Sequence, residues 1–145
     1  MWGRPGCRNM GGISSEEVVM PGARKETAPV TIDSPAYAAR LVEMGEFTIA
    51  FETIKTEHDA APFFKGLPED RCPCPHWGQV VSGRLVLSYA DHEETVEAGE
   101  AYYAPGGHLP YCPAGTELIT FSPTDQLKEV NAVLAANMAR AAAPR

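Results

Sequence analysis

Two thiols and an imidazole lie within five residues of each other, in the segment Cys72-Pro73-Cys74-Pro75-His76. Thiolate sulfur and imidazole nitrogen are the ligands that Zn²⁺ prefers in proteins. A residue before proline is biased away from helical geometry, so the segment is predicted to be extended. Alternate side chains of an extended chain point the same way, so Cys72, Cys74 and His76 would share one face. The pattern indicates a metal site.

The spacing limits how many of these side chains can reach one ion. On a straight strand Cys72 and His76 would be about 13 Å apart, because same-face Cα atoms are separated by about 6.6 Å. Metal bonds of about 2.0–2.3 Å cannot span that distance. Either the strand bends, or one cysteine supports the site without binding the ion. We take Cys74 and His76 as the ligand pair, with Cys72 behind it.

A second histidine, His108, follows the tight turn Pro105-Gly106-Gly107. We predict that this stretch faces the first one across a small β-barrel and that His108 completes the site. Cys112, four residues later and on the same side if the segment is extended, is a further candidate for a ligand. The predicted metal ligands are Cys72, Cys74, His76 and His108.

This mixture of thiolates and imidazoles suits zinc better than iron or copper. Four protein ligands would make a closed, structural site, whereas an open position would allow water activation or substrate binding. Two alternatives stay open, namely cysteines that only fill the core and a redox-active thiol pair. No pattern identifies a catalytic residue, and whether the chain is an enzyme is undecided by the sequence.

Length and charge restrict the class of protein. The chain has 145 residues and a net charge of −7, from 12 Lys and Arg against 19 Asp and Glu. One domain of this size can bury a core without disulfides. The negative charge disfavours a nucleic-acid partner, and no apolar run is long enough to span a membrane. The first residues carry no apolar export segment, so we expect a reducing, cytoplasmic location.

Residues 1–28 are rich in Gly, Pro, Ser and charged residues, which predicts a flexible extension before the first folded element. Residues 29–145 would form the folded domain. Residues 30–32 predict a short strand. Ser34 as a cap and Pro35 in the first turn then predict a short helix, which Gly45 would end.

The remaining elements are mostly strands. Alternation over residues 46–54 predicts a strand that buries Phe47, Ile49 and Phe51. From residue 79 to 121, short strands alternate with turns, as is typical of a sandwich or barrel. Ser122 then begins a capping-box pattern, which predicts a helix over residues 123–142. Its apolar stripe is Leu127, Val130, Leu134 and Met138.

Gly99 is followed after five residues by Pro105-x-Gly107, and Gly83 ends the stretch that begins at the cysteine segment. With these residues at the ends of its two motifs, the part of the chain over residues 65–122 resembles a small single-domain cupin. The chain is similar to uncharacterised bacterial cupins that carry a Cys-x-Cys-Pro-His-Trp-Gly segment. The fold expectation is therefore an all-β cupin-type double-stranded β-helix, or jelly-roll barrel, with a short N-terminal helix and a C-terminal helix.

The ligand positions depart from the usual cupin pattern of His-x-His followed by Glu. Counting back from Gly83 places Asp70 and Cys72 at the two histidine positions and His76 at the glutamate. The histidine of the second motif falls at Pro110, two residues after His108. The resemblance implies a divalent metal but no particular reaction, because cupins host many activities.

Our hypothesis is a metal-dependent cupin enzyme that acts on a small organic molecule. The alternative is a non-catalytic cupin with a structural zinc or a ligand-sensing site. The expected partners are a small-molecule ligand or substrate, without nucleic acid or membrane. A homodimer is a further hypothesis.

Overall fold

The computed structural model describes residues 22–143. Within this part of the chain, nine β-strands precede one α-helix, and two short 3-10 turns, Ala61–Phe64 and Pro68–Asp70, follow the third strand. The elements are β1 (Val30–Asp33), β2 (Tyr37–Met44), β3 (Phe47–Ile54), β4 (His76–Ser82), β5 (Arg84–Ser88), β6 (Glu93–Glu97), β7 (Ala101–Ala104), β8 (Leu109–Tyr111), β9 (Glu117–Pro123) and α1 (Thr124–Ala142).

The strands form two antiparallel sheets, in the orders β1-β2-β3-β9-β4-β7 and β6-β5-β8. The predicted mostly-β class and the C-terminal helix are confirmed. Across residues 22–143 the two sheets are not joined into one closed barrel, which differs from the predicted jelly-roll barrel. No helix in the described residues is long and apolar enough to cross a membrane.

Two clusters of buried side chains hold these layers together. The main core lies between the sheets and consists of Ile54, Val80, Leu85, Leu87, Ala104, Cys112 and Leu118. The second cluster lies under α1 and consists of Phe64, Leu67, Cys72, Cys74 and Val130. The second cluster therefore packs the cysteine segment against the C-terminal helix.

The prediction of a short helix after Ser34 was wrong, because residues 37–44 form β2. This strand pairs with β3 along its whole length, and Gly45, at φ +63°, lies in the two-residue turn between them. Ser34 does make the local bond that the sequence suggested, since its Oγ accepts a hydrogen bond from the Tyr37 N–H at 3.0 Å. That bond shapes a turn here, and the pairing with β3 outweighs the weak preference of a short segment for helix.

β3 has nearly the predicted bounds, but it turns its other face to the interior. Thr48, Ala50 and Ile54 are buried on that face. Of the residues predicted to be buried, Ile49 is buried at 6% exposed, whereas Phe47 is 39% exposed. The buried Thr48 Oγ1 lies 2.8 Å from Thr124 Oγ1 at the start of α1. Thr48 is polar although it faces the interior, so the alternation of apolar residues indicated the opposite face.

The helix α1 begins within one residue of the predicted position, but Ser122 does not cap it. β9 continues through Ser122, so this side chain points into the interior, and Pro123 occupies the cap position without a side-chain hydrogen bond. Of the predicted apolar stripe, Val130 is buried and Met138 is 36% exposed. The stripe packs most closely near the middle of the helix.

The predicted extension over residues 1–28 is described only from residue 22, so residues 1–21 and Cys7 lie outside the described residues. Lys25 Nζ lies 2.7 Å from Glu117 Oε1 on β9, and Ala28 is buried. Residues 22–28 therefore contact the larger sheet. The boundary at residue 28 stays a prediction.

Gly83, in the turn between β4 and β5, provides a test of this fold. It has φ +75°, and a Cβ atom there would lie 2.3 Å from Thr116 Oγ1. Gly99, at φ +90°, has nothing within 4 Å of the same position. We expect Gly83→Ala to lower the free energy of unfolding by about 2–4 kcal/mol, through backbone strain plus overpacking, and Gly99→Ala by about 1–2 kcal/mol through strain alone. Urea denaturation measures both, and equal losses would contradict the packing described here.

Candidate metal centre

The two stretches that the sequence singled out are joined by a short antiparallel bridge. The Cys72 N–H donates to the His108 carbonyl at 2.9 Å, and the Gly107 N–H donates to the Cys72 carbonyl at 2.7 Å. A Cβ atom on Gly106 would lie 2.3 Å from the Pro73 carbonyl oxygen, so a glycine is needed for the two backbones to approach. The stretches therefore face each other.

Three ligand-type side chains converge beside this bridge. One ligand atom from each of Cys72, His76 and His108 lies within 4.8 Å of the others. Cys72 Sγ is 3.5 Å from His76 Nε2, and the two imidazole rings have their centroids 5.1 Å apart. Among the described residues, this is the group of thiol, imidazole and carboxylate side chains that is close enough to hold a metal ion.

The chain reaches this arrangement by bending at Cys74. The prediction that residues 72–76 form a stiff extended piece was wrong, and the bend removes the 13 Å separation that a straight strand would impose. Cys72, not Cys74, approaches His76. The Cys74 side chain is fully buried in the second cluster, and its Sγ lies 3.4 Å from the Pro75 carbonyl oxygen.

The other candidates lie elsewhere. Cys112 is buried in the main core and is not a member of the group. Asp70, which the cupin resemblance aligns with a ligand, accepts a hydrogen bond from the Gly66 N–H at 3.0 Å. Pro110 lies in β8. β4 itself is paired on both sides, by β7 and β9.

The tautomer of His108 is fixed by its surroundings. Its Nδ1 lies 2.8 Å from the Pro105 carbonyl oxygen, which can only accept, so Nδ1 carries the proton. The lone pair is therefore on Nε2. A ligating histidine in a metalloprotein commonly donates its other ring N–H to a carbonyl in this way. Pro105, at the start of the predicted turn, orients the imidazole.

His76 is held by a residue that the sequence analysis assigned to another role. Its Nδ1 lies 2.7 Å from the Oγ of Ser122, which is only 2% exposed. Strand alternation could have found this contact, because Ser122 follows Leu118 and Thr120 at steps of two on the inward face of β9. The capping-box pattern hid that signal.

Burial keeps these groups uncharged. It lowers the pKa of His76 to about 3, with a smaller effect from the neighbouring His108, and it lowers the pKa of His108 against the opposing effect of the Pro105 hydrogen bond. Burial also raises the pKa of the Cys72 thiol to about 11 and that of Cys74 to about 12. Neutral imidazoles have a lone pair available for a metal ion.

A layer of polar side chains lies between the sheets beside Gly78, two positions along β4 from His76. Glu52 accepts hydrogen bonds from the Tyr37 hydroxyl at 2.6 Å and from Thr120 Oγ1 at 2.7 Å. Because Thr120 donates its proton to Glu52, its oxygen accepts from the Tyr102 hydroxyl at 2.9 Å. Gly78 permits this arrangement, since a Cβ atom there would lie 2.8 Å from the Tyr102 ring. Glu52 therefore enters the interior, whereas Tyr103 is 54% exposed.

The two remaining described histidines lie outside the group. His92 is half-exposed and contacts Asp91 at 2.7 Å and Glu94 at 3.4 Å. His58 Nδ1 lies 3.0 Å from the Thr56 carbonyl oxygen in an exposed loop.

No protein-family model matches the sequence. No curated protein shows a significant match.

Solved structures do show similarity, at low sequence identity. An RmlC-like cupin from Shewanella frigidimarina NCIMB 400 is 15% identical, with a TM-score of 0.49 over 72% of this chain and 91% of that one. A cupin-2 domain-containing protein from the same organism is 20% identical, with a TM-score of 0.45 over 63% of this chain and 84% of that one. KdgF from Halomonas sp. is 12% identical, with a TM-score of 0.46 over 69% and 92%. The proteins to which this chain is similar are thus of cupin type.

Proposed function

We propose that this chain is a cupin-type metal protein in which Cys72, His76 and His108 bind a divalent ion, with zinc favoured over iron or copper. The observation that carries the proposal is the convergence of three ligand atoms within 4.8 Å from separate segments of the chain. The jelly-roll description of the two sheets belongs to the same proposal and is supported by the sequence motifs around Gly83 and Pro105.

The residues present fit such an ion. Zinc sites combine cysteine sulfur and histidine nitrogen at bonds of about 2.0–2.3 Å. The three ligand atoms here lie within 4.8 Å of one another, and Cys72 Sγ is 3.5 Å from His76 Nε2. Both imidazoles are oriented through Nδ1, by Ser122 and by the Pro105 carbonyl, which leaves their Nε2 atoms to bind the ion. Cys74 then supports the segment by packing.

Three protein ligands favour an open site, and we propose a metal-dependent enzyme that acts on a small organic molecule. A bound zinc with a free position supplies Lewis-acid polarisation or an activated water. The protein would orient the molecule through the polar layer of Glu52, Thr120 and Tyr102. Thr120 and Tyr102 both pair with Gly78, which is two positions along β4 from His76. The chain thus offers both a metal ligand set and a group for recognition.

One observation favours a non-catalytic role for the same ion. Cys72 belongs to the cluster that packs residues 61–74 against α1, so an ion bound there would link the helix region to β4. Chelation followed by thermal unfolding separates the roles. A large loss of stability on chelation, without binding of any exogenous ligand to the ion, would support the structural role.

A redox role for Cys72 and Cys74 has less support. Both thiols are buried and free of a disulfide, and burial raises the pKa of each, which lowers the fraction of reactive thiolate. Free thiols fit the reducing compartment expected from the sequence, and we propose a cytoplasmic location. Thiol counting before and after mild oxidation tests the redox role. Unchanged thiols would exclude it, and two thiols lost together would support it.

Elemental analysis of the purified protein and its variants tests the ligand set. We expect one zinc per chain in the wild type. Cys72→Ser and His108→Ala should each lose most of the bound zinc, because each removes one of three ligands. Cys74→Ser and His92→Ala are the matched controls and should retain the metal. Equal metal loss in Cys74→Ser and Cys72→Ser, with both variants folded by circular dichroism, would contradict the assignment of Cys72 alone.

Ser122→Ala tests the support of His76. We expect the zinc affinity, measured by competition with a chromophoric chelator, to fall by about 10–100-fold, as is typical when a hydrogen-bond partner of a ligating histidine is removed. Ser82→Ala is the control, since its Oγ donates to the Gly115 carbonyl at 3.0 Å, far from the cluster. An unchanged affinity in Ser122→Ala would show that this contact does not orient the imidazole.

A further inference from the structure

The polar layer beside the metal centre has more hydrogen-bond acceptors than donors. The Tyr37 hydroxyl and Thr120 Oγ1 donate to the Glu52 carboxylate at 2.6 and 2.7 Å. The Tyr102 hydroxyl donates to Thr120 Oγ1 at 2.9 Å, so all three hydroxyl protons are engaged. A carboxylate has about four lone-pair sites, of which these bonds use two, and both tyrosine oxygens can still accept. A group that completes the layer must therefore be a donor.

The Glu52 carboxylate also lacks a basic partner among the described residues. Across residues 22–143, no lysine or arginine forms a salt bridge with it. Its directly paired neighbours on the inward face of the larger sheet are Ala39 on β2 and Leu118 on β9, which are both apolar. Removal from water disfavours an isolated charge, so a carboxylate inside a protein is normally paired. The polar layer therefore lacks a positive charge as well as a donor.

A small molecule can reach the polar layer and the metal centre together. Glu52, Tyr102 and His76 lie at inward positions of the larger sheet, yet each is partly exposed, so solvent enters the space between the sheets. The carboxylate also lies within electrostatic range of the metal centre. Burial is the main cause of the raised pKa of the Cys72 thiol, and the negative charge of Glu52 raises that pKa further. One bound molecule can therefore contact both groups.

We propose, on the basis of the proposed metal-dependent function, that the polar layer binds the protonated amino group of the substrate, which is then a small alkylammonium compound. An ammonium group supplies three N–H donors and no acceptor, and an alkylamine is protonated at neutral pH, as the lysine side chain is. Its hydrogen bond to the Glu52 carboxylate is of the stronger, charge-assisted kind. The rings of Tyr37 and Tyr102 beside the carboxylate add an attraction for a cation.

Other common functional groups fit the polar layer less well. An alcohol supplies a donor but no charge, and a carboxylate supplies neither, because it only accepts hydrogen bonds and is repelled by Glu52. The net charge of −7 also favours the approach of a cation over that of an anion. A comparison of an amine with an alcohol of the same length therefore isolates the charge on which the proposal depends.

Titration of the full-length protein with butylammonium and with 1-butanol, followed by ¹H–¹⁵N NMR, tests the proposal. The amide signals of Gly78 and Thr120 report on the polar layer. We expect both signals to shift saturably with butylammonium. Its dissociation constant should be at least about 10-fold lower than that of 1-butanol, the factor that corresponds to one charge-assisted hydrogen bond.

Glu52→Gln keeps the size of the side chain and removes its charge. We expect this variant to raise the dissociation constant of butylammonium at least about 10-fold and to leave that of 1-butanol nearly unchanged. Glu57→Gln is the matched control, because Glu57 also accepts a hydrogen bond from a tyrosine, the Tyr111 hydroxyl at 2.5 Å, but at an exposed position. Circular dichroism verifies that both variants are folded. If Glu52→Gln unfolds, the comparison of the two probes on the wild type still decides.

Three results would overturn the proposal. Binding of 1-butanol as tight as that of butylammonium, or no saturable shift with butylammonium, would mean that the charge of Glu52 does not select the ligand. An unchanged affinity in a folded Glu52→Gln variant would place the amine elsewhere, for example on the metal ion. Elemental analysis of the same samples separates this failure from that of the proposed function. Bound zinc without a preference for the amine contradicts the substrate class alone, whereas a preference for the amine in a protein without metal contradicts the metal-dependent function alone.

Discussion

The antiparallel bridge between Cys72 and His108 is the contact on which the candidate site depends. Its two backbone hydrogen bonds, at 2.9 and 2.7 Å, join segments that are 36 positions apart in the chain. Gly106 lets the backbones approach, because any side chain there would collide with the Pro73 carbonyl. With the backbones fixed, a bend at Cys74 is enough to turn the Cys72 thiol toward the two imidazoles.

The cluster is polar but lies where the protein is otherwise apolar, which has an energetic cost. Burial disfavours charge on His76 and His108, and both rings keep one hydrogen bond through Nδ1 to offset part of that cost. The arrangement leaves Nε2 of each ring directed away from its hydrogen-bond partner. A bound cation would use these lone pairs and compensate for the loss of water around the rings, which is why metal binding is the simplest physical account of the cluster.

The sequence predicts most of the fold because the signals involved are local. Turns at Gly83 and at residues 105–107, the alternation of the later strands and the helical stripe of α1 all depend on residues near each other in the chain. The helix predicted after Ser34 failed because pairing with β3 decides the structure of residues 37–44. The ligand pair was only partly predictable, since Cys72 is held by a backbone bridge to His108, which lies far along the chain. The contact of Ser122 with His76 was missed because Ser122 lies both on the inward face of β9 and just before the start of α1.

X-ray absorption at the zinc K-edge of the zinc-loaded protein tests the central claim most directly, because it counts sulfur and nitrogen neighbours of the ion. The structure predicts one sulfur neighbour at about 2.3 Å, from Cys72, and two imidazole nitrogens at about 2.0–2.1 Å, from His76 and His108. A fourth neighbour, if present, should be a light atom. Two sulfur neighbours, or a spectrum without imidazole scattering, would contradict the account.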